Sequence, residues 1–207
     1  MDIVGFVDNS NDLFDDYAKR LWRRDITLLV PSEGMSKENI LDWLLSSRVQ
    51  CLMVDYKLKP NYAFVGTELV AYINSVLPDL PCMILTAYPQ ESLNENLVIK
   101  NMIEDRSVLD SSNFEDFTDK LKQAVRVFDK RLCRHEEEYR NFLPSENKYE
   151  LTANDEERKL ELYRILKAYK IVDELPSELL RSNVGKRVDS VLDKLTKLLD
   201  ENSAEGE

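Results

Sequence analysis

The chain has 207 residues, of which 43% are hydrophobic and 32% charged, which is enough for one ordinary globular domain and a smaller appendage. Its net charge of −11 opposes a general nucleic-acid-binding surface, because such surfaces neutralise phosphates with cationic side chains. The local basic groups at Arg23 and Arg24 and at Lys130, Arg131 and Arg134 lack a recognition-helix pattern.

The three cysteines are odd in number and widely spaced, which argues against a disulfide framework and a zinc site. The first residues lack the basic-then-apolar pattern of a signal peptide, and no apolar run approaches the length of a bilayer span. We therefore expect a soluble cytoplasmic protein that does not contact membranes.

Short apolar runs alternate with amphipathic helical segments through the first two thirds of the chain. The runs are rich in Val, Ile and Leu, as strands covered on both faces are. Strands are predicted at 3–7, 26–30, 49–54 and 81–86, with a weaker fifth at 98–104. Helices are predicted around 13–21, 40–44, 69–76 and 93–98, followed by a long one over 114–132. This alternation predicts a parallel sheet wrapped by helices.

The last third is predicted to be helical. A first domain over 1–132 is followed by a helix extension and linker over 133–152, a helical region over 153–200 and an acidic disordered tail over 201–207. Apolar stripes at 162–169 and 188–199 predict two helices separated by Pro176. They form either a hairpin that packs on itself or on the first domain, or a surface for a partner or for self-association.

Polar residues follow the predicted strands. Asp8 and Asn9 follow the first, Asp55 follows the third and Thr86 ends the fourth. In open parallel sheets, ligands bind outside the carboxyl ends of the strands. Two acids and a hydroxyl at that edge suit phosphoryl transfer, which needs a carboxylate acceptor, oxygen ligands for a cation and a donor to the phosphoryl oxygens.

With these residues in place, the first domain resembles the receiver domains of two-component response regulators. The resemblance covers about residues 2–132, and four segments carry it. They are IVGFVDN at 3–9, CLMVDYKLKP at 51–60, FVGTELVAYI at 64–73 and PCMILTAYP at 81–89. The resemblance implies a flavodoxin-like, doubly wound sheet of five parallel strands.

The resemblance also implies roles for individual residues. Asp55 is similar to the phosphoacceptor, and Asp8 to the acidic Mg²⁺ ligand of the family. The backbone carbonyl of Lys57 is similar to a third ligand, Thr86 to the switch hydroxyl, and Ala87 to the small residue that leaves the phosphoryl group accessible. The implied cofactor is Mg²⁺, and the implied donor is a histidine kinase or a phosphotransfer protein.

The sequence departs from the receiver pattern at several positions. Asn9 stands where a second acid is usual, so a Mg²⁺ site has one charge fewer and a lower predicted affinity. The loop from Asp55 to Gly66 is longer than usual, and it either alters access to Asp55 or bulges outward. The usual lysine is replaced by Arg106 or, if the fifth strand lies earlier, by Lys100.

Two further positions depart from the pattern or stand outside it. No aromatic switch residue is present near the fifth strand, where Ile103 stands closest to the usual position. His135 is predicted to be a surface histidine on a helix, although a phosphorelay role is conceivable.

Three functions follow from these observations. A working receiver accepts a phosphoryl group on Asp55 and signals through protein contacts, without enzymatic turnover. A pseudo-receiver uses the same fold as an interaction module that does not depend on phosphorylation. An aspartate-based phosphatase is disfavoured because Asp8-Asn9-Ser10 lacks the D-x-D pattern of that chemistry.

Overall fold

The computed structural model describes residues 1–9, 14–143 and 151–173. In these residues five strands alternate with five α-helices along the first domain, and a sixth α-helix follows in the C-terminal region. The strands are β1 (Asp2–Val7), β2 (Ile26–Leu29), β3 (Cys51–Val54), β4 (Cys82–Thr86) and β5 (Ile103–Asp105). The helices are α1 (Phe14–Trp22), α2 (Lys37–Ser46), α3 (Gly66–Val76), α4 (Pro89–Asn94), α5 (Phe114–Asn141) and α6 (Ala153–Ala168).

All five strands are parallel and lie in the order β2-β1-β3-β4-β5. Every residue of β3 and β4 is buried, which is why these runs are apolar on both faces instead of alternating. The predicted doubly wound five-stranded sheet is confirmed.

Near residue 98, one strand and one helix lie at other positions in the sequence than predicted. The strand predicted over 98–104 begins only at Ile103, because a 3-10 turn over Lys100–Met102 precedes it. The helix predicted around 93–98 lies earlier, in α4, where Pro89 opens the first turn at a position that needs no backbone donor. Val98 is buried, but it belongs to the connection between these two elements.

The sheet separates two apolar clusters. One cluster, on the side of α2 and α3, contains Ile40, Leu44, Leu69 and Ile73. The other, on the side of α1 and α5, contains Tyr17, Leu21, Phe117, Leu121 and Val125. Burying one such large apolar side chain contributes ~1.5–3 kcal/mol, so both layers hold the strands and their ends in place.

The helix α5 runs without interruption past residue 132, so the predicted domain boundary lies inside it. At the amino edge of the sheet, Gln50 accepts a hydrogen bond from the backbone N–H of Ile3 (2.9 Å) and donates to Asp129 of α5 (2.9 Å to Oδ1). These bonds tie α5 to the starts of β1 and β3.

The helix α6 packs against the last turns of α5. Its start is fixed by a capping box in which the Thr152 side chain accepts from the Asp155 backbone N–H while Asp155 accepts from that of Thr152. A small third cluster then forms from Leu162, Tyr163 and Leu166 of α6 with Tyr139 of α5. The predicted helix over 188–199 lies outside the described residues.

The segment after α6 also contacts the first domain. Tyr169 packs edge-on against Phe128, with ring centroids 5.5 Å apart, and its hydroxyl accepts a hydrogen bond of 3.1 Å from the Asp79 backbone N–H. The first C-terminal stripe therefore forms a helix whose end contacts the first domain, whereas the predicted hairpin with the second stripe lies partly outside the described residues. Of the helices in the described residues, none is both long and apolar enough to span a bilayer.

Candidate functional site

The carboxyl edge of the sheet gathers the residues predicted to carry the chemistry. Asp8 directly follows β1, Asp55 follows β3, Thr86 is the last residue of β4, and Arg106 follows β5. Because the four strands are parallel, their carboxyl ends lie at one edge of the sheet. Asp8, Asp55 and Thr86 are all buried, although each is polar.

Arg106 connects the two carboxylates. Its Nη2 lies 2.9 Å from Oδ2 of Asp8 and 3.3 Å from Oδ1 of Asp55. The side chains of Asp8 and Asp55 are only 4% and 8% exposed, so these ion pairs are poorly screened by water. Lys100, the alternative cation, is exposed and precedes β5 at the opposite edge, so that alternative is wrong.

Burial raises the pKa of Asp55 above its ordinary value. The Arg106 guanidinium and a hydrogen bond from the Thr86 hydroxyl lower this pKa, whereas the negative charge of Asp8 raises it. The Thr86 oxygen also accepts a hydrogen bond of 3.2 Å from the Tyr88 backbone N–H. The Thr86 hydroxyl therefore already faces the Asp55 carboxylate.

Asn9 and Lys57 stand beside the two acids. The Asn9 backbone N–H donates to Oδ1 of Asp8 (2.7 Å), and the Asn9 carbonyl accepts from Nδ2 of Asn61 (2.7 Å). The Lys57 side chain points to α4, where its Nζ lies 3.1 Å from Oε2 of Glu91.

The oxygen donors at this edge suit a hard divalent cation such as Mg²⁺. One guanidinium nitrogen lies within ion-pair distance of both buried carboxylates, so the two acids face one shared position. No group of three or more His, Cys, Asp or Glu side chains is placed to hold a metal within the described ranges. A cation at this edge would therefore depend on Asp8 and Asp55 with the oxygens of Asn9 and Lys57.

The long loop between Asp55 and Gly66 does not bulge outward. Leu58, Tyr62 and Phe64 are buried in the cluster on the side of α2 and α3, and Asn61 reaches the Asn9 carbonyl beside the site. The apolar residues of this loop were the sequence signal for its burial, since a solvated loop has no need of them.

Gly66 closes this loop against the backbone of Asp55. A side-chain carbon added at Gly66 would lie 2.1 Å from the backbone oxygen of Asp55, a separation that no real contact allows. The Gly66 N–H donates a hydrogen bond of 2.9 Å to the Tyr56 carbonyl. Glycine is required here because the start of α3 passes so close to the backbone at Asp55.

A contact network that sequence reasoning missed links the loop after Asp55 to α4. Tyr56 donates a hydrogen bond of 2.7 Å to Oε1 of Glu95, and the buried Thr67 hydroxyl donates to Oε2 of the same carboxylate. The bond to Glu95 raises the pKa of Tyr56 to about 12. At the other end of α4, Lys57 pairs with Glu91 and covers the Tyr88 ring. Spacing along the chain carried no signal for these pairs, because the partners come from separate elements.

His135 and the cysteines lie away from this edge. His135 lies on a helix, as predicted, but it is only partly exposed: its side chain is 17% exposed, and its Nε2 lies 3.1 Å from Oδ2 of Asp79, before β4. Cys51 and Cys82 are buried free thiols, and Cys133 is exposed.

The first domain has the fold of response regulator receiver domains, as its strand order and parallel pairing show. Solved receiver structures are similar to it. TrrA of Thermotoga maritima, a response regulator in complex with Mg²⁺-BeF, is 17% identical with a TM-score of 0.47, over 60% of this chain and 99% of that chain. A CheY-like receiver domain protein of Methanospirillum hungatei is 16% identical with a TM-score of 0.49, over 63% and 98%. The receiver domain of an HD domain-containing protein of Pseudomonas fluorescens is 16% identical with a TM-score of 0.48, over 63% and 90%. No family model and no curated protein matches the sequence.

Proposed function

We propose that the chain is a response regulator that accepts a phosphoryl group on Asp55 from a histidine kinase or phosphotransfer protein. The observation that carries this proposal is the convergence of Asp8, Asp55, Thr86 and Arg106 at one edge of the sheet. Asp55 is the nucleophile: its carboxylate oxygen forms a bond to phosphorus while the P–N bond of the donor's phosphohistidine breaks and the imidazole leaves. When bound through Asp8 and Asp55, a divalent cation such as Mg²⁺ neutralises charge on the transferring group.

The neighbouring residues have separate tasks in this proposal. The Thr86 hydroxyl donates a hydrogen bond to a phosphoryl oxygen, and Arg106 supplies a fixed positive charge, as the usual lysine does. Its planar guanidinium can present two parallel donors to one phosphoryl group, which an ammonium cannot do. The protein accepts the group and does not turn over a substrate.

The helix α4 is the element that reads out the modification. It is joined to the two residues that follow Asp55, through Tyr56 with Glu95 and through Lys57 with Glu91. A phosphoryl group adds about −1.5 to −2 charges beside these contacts. Its charge attracts the Lys57 ammonium and draws Thr86 toward the new oxygens, so the ends of α4 rearrange. The signal then passes to a protein effector or to self-association through the C-terminal helices, and not to nucleic acid.

Incubation of the full chain with acetyl phosphate tests this proposal. We expect Mg²⁺-dependent gain of one phosphoryl group by intact mass spectrometry, and no gain in Asp55→Asn. Asp16→Asn is the matched control, because the Asp16 side chain is 75% exposed on α1, where it pairs with Lys19 at 3.8 Å. Equal labelling of Asp55→Asn and the wild type would exclude Asp55 as the acceptor.

A pseudo-receiver is the second candidate, and one observation favours it. The double ion pair of Arg106 already balances one of the two negative charges without any bound cation. In that function the edge is a static structural element and α4 binds its partner constitutively. Absence of labelling by acetyl phosphate at millimolar Mg²⁺ would support it over the first.

A further inference from the structure

We infer that Arg106 is a built-in competitor for the cation site: its guanidinium lies between Asp8 and Asp55 and must leave before a divalent cation binds both. This inference rests on the proposed function, since it concerns the same site. Nη2 contacts Oδ2 of Asp8 at 2.9 Å and Oδ1 of Asp55 at 3.3 Å. A cation shared by the two carboxylates competes with this guanidinium nitrogen for the position that faces both acids.

The two carboxylates hold Arg106 firmly. Both are almost fully buried, whereas the Arg106 side chain is 24% exposed, so Arg106 approaches the acids from the solvent side. An uncompensated pair of buried carboxylates is unfavourable, which is why a positive charge must stand there in the absence of a metal. Divalent-cation affinity is therefore lowered by the loss of these two ion pairs, in addition to the effect of Asn9.

The described residues do not satisfy every donor of the guanidinium in this position. Arg106 Nε is buried and has no hydrogen-bond partner among the described residues. A buried donor without a partner is unfavourable, so an arrangement that offers it an oxygen acceptor is preferred. The oxygens of a phosphoryl group on Asp55 are such acceptors. Arg106 thus has a reason to exchange its carboxylate partners when the site is loaded.

Movement of Arg106 reaches the start of α5. Arg106 is the first residue of a 3-10 turn over Arg106–Leu109, which Asp105 caps by accepting a hydrogen bond from the Ser107 N–H (2.8 Å). Asp110 follows this turn and pairs with Arg20 of α1 (2.7 Å). Displacement of the guanidinium therefore perturbs the turn between β5 and α5, which gives the exchange a structural readout apart from phosphorylation.

Titration with Mn²⁺, followed by the loss of the free-ion signal in electron paramagnetic resonance, tests the inference without phosphoryl transfer. We expect Arg106→Met, which keeps much of the stem and removes the charge, to bind Mn²⁺ about tenfold more tightly than the wild type or better. Arg106→Lys keeps a charge and should lie between the two. Lys19→Met makes the same change in net charge on a side chain that is 72% exposed, and it should leave the affinity within about twofold.

Unchanged or weaker Mn²⁺ binding by folded Arg106→Met would overturn the inference. If that variant fails to fold, the wild type decides: addition of Mg²⁺ should shift the NMR resonances of Arg106 Nε and of the Ser107 amide, and resonances that stay in place at saturating Mg²⁺ contradict the exchange. If Arg106→Met gains Mn²⁺ affinity as expected but the wild type is not labelled by acetyl phosphate, the proposed function alone is refuted. If the wild type is labelled but Arg106→Met does not gain Mn²⁺ affinity, the inference about Arg106 alone is refuted.

Discussion

Replacing Gly66 with alanine adds one methyl group where the start of α3 passes close to the end of β3 and to Asp55. The new carbon would lie 2.1 Å from the Asp55 carbonyl oxygen, 2.9 Å from its carbonyl carbon and 3.0 Å from Cγ1 of Val54. Ordinary contacts begin at 3.4 Å, so the start of α3 must move away by more than an ångström. The backbone of Asp55 cannot yield, because its N–H donates a hydrogen bond of 2.9 Å to the Val7 carbonyl.

The expected loss in the free energy of unfolding is about 2–4 kcal/mol, from overpacking and from the strained Gly66–Tyr56 hydrogen bond. Urea denaturation should show a lower midpoint with an unchanged m-value. Gly34→Ala is the control: its added carbon has 3.6 Å of space, but its φ of +72° makes a side chain cost about 1 kcal/mol. If Gly66→Ala is no less stable than Gly34→Ala, then α3 does not pass as close to the Asp55 backbone as described.

Three further predictions follow from the pKa values and the packing. Because the pKa of Asp55 is raised in the folded protein, its ionisation lowers the stability of the wild type as pH rises above ~4. In urea titrations, Asp55→Asn should therefore be more stable than the wild type at pH 7 and lose that advantage toward pH 4. A difference in stability that does not change with pH would contradict the raised pKa. Glu95→Gln should lower the pKa of Tyr56 from about 12 toward ~10, measured by NMR titration of labelled tyrosine, and an unchanged value would exclude Glu95 as its cause. Leu166→Ala should lower the free energy of unfolding by ~2–5 kcal/mol, because Leu166 is fully buried where α6 packs on α5. Val127 is exposed, so the control Val127→Ala should lower it by less than ~1 kcal/mol. Equal effects of the two substitutions would refute the packing of α6.

The sheet and the positions of its carboxyl-end residues were predictable because apolar runs covered on both faces leave a clear signal. Asp8, Asp55 and Thr86 each follow or end such a run, and the edge rule for parallel sheets places them together. The fifth strand was predicted to start too early, because Val98 and Ile99 continue an apolar pattern that a 3-10 turn interrupts before Ile103. Single-sequence periodicity cannot separate such a connection from a strand.

The contacts around the site were less predictable than its residues. Arg106 was a candidate by its place after the fifth strand, but its bridging position between two carboxylates depends on three strand ends at once. Glu95 gave no signal, because its partners Tyr56 and Thr67 lie on two other elements. His135 lies in a run of charged residues that indicates a solvated face, yet Asp79 draws it against the first domain.

Chemical trapping of the aspartyl phosphate locates the acceptor most directly. After incubation with acetyl phosphate and Mg²⁺, borohydride reduction converts an aspartyl phosphate to homoserine, which peptide mass spectrometry assigns to one position. We predict homoserine at position 55 alone, and none when Asp55→Asn is treated in the same way. Homoserine at position 8 or at another aspartate, with position 55 unmodified, would contradict the assignment of Asp55 as the phosphoacceptor.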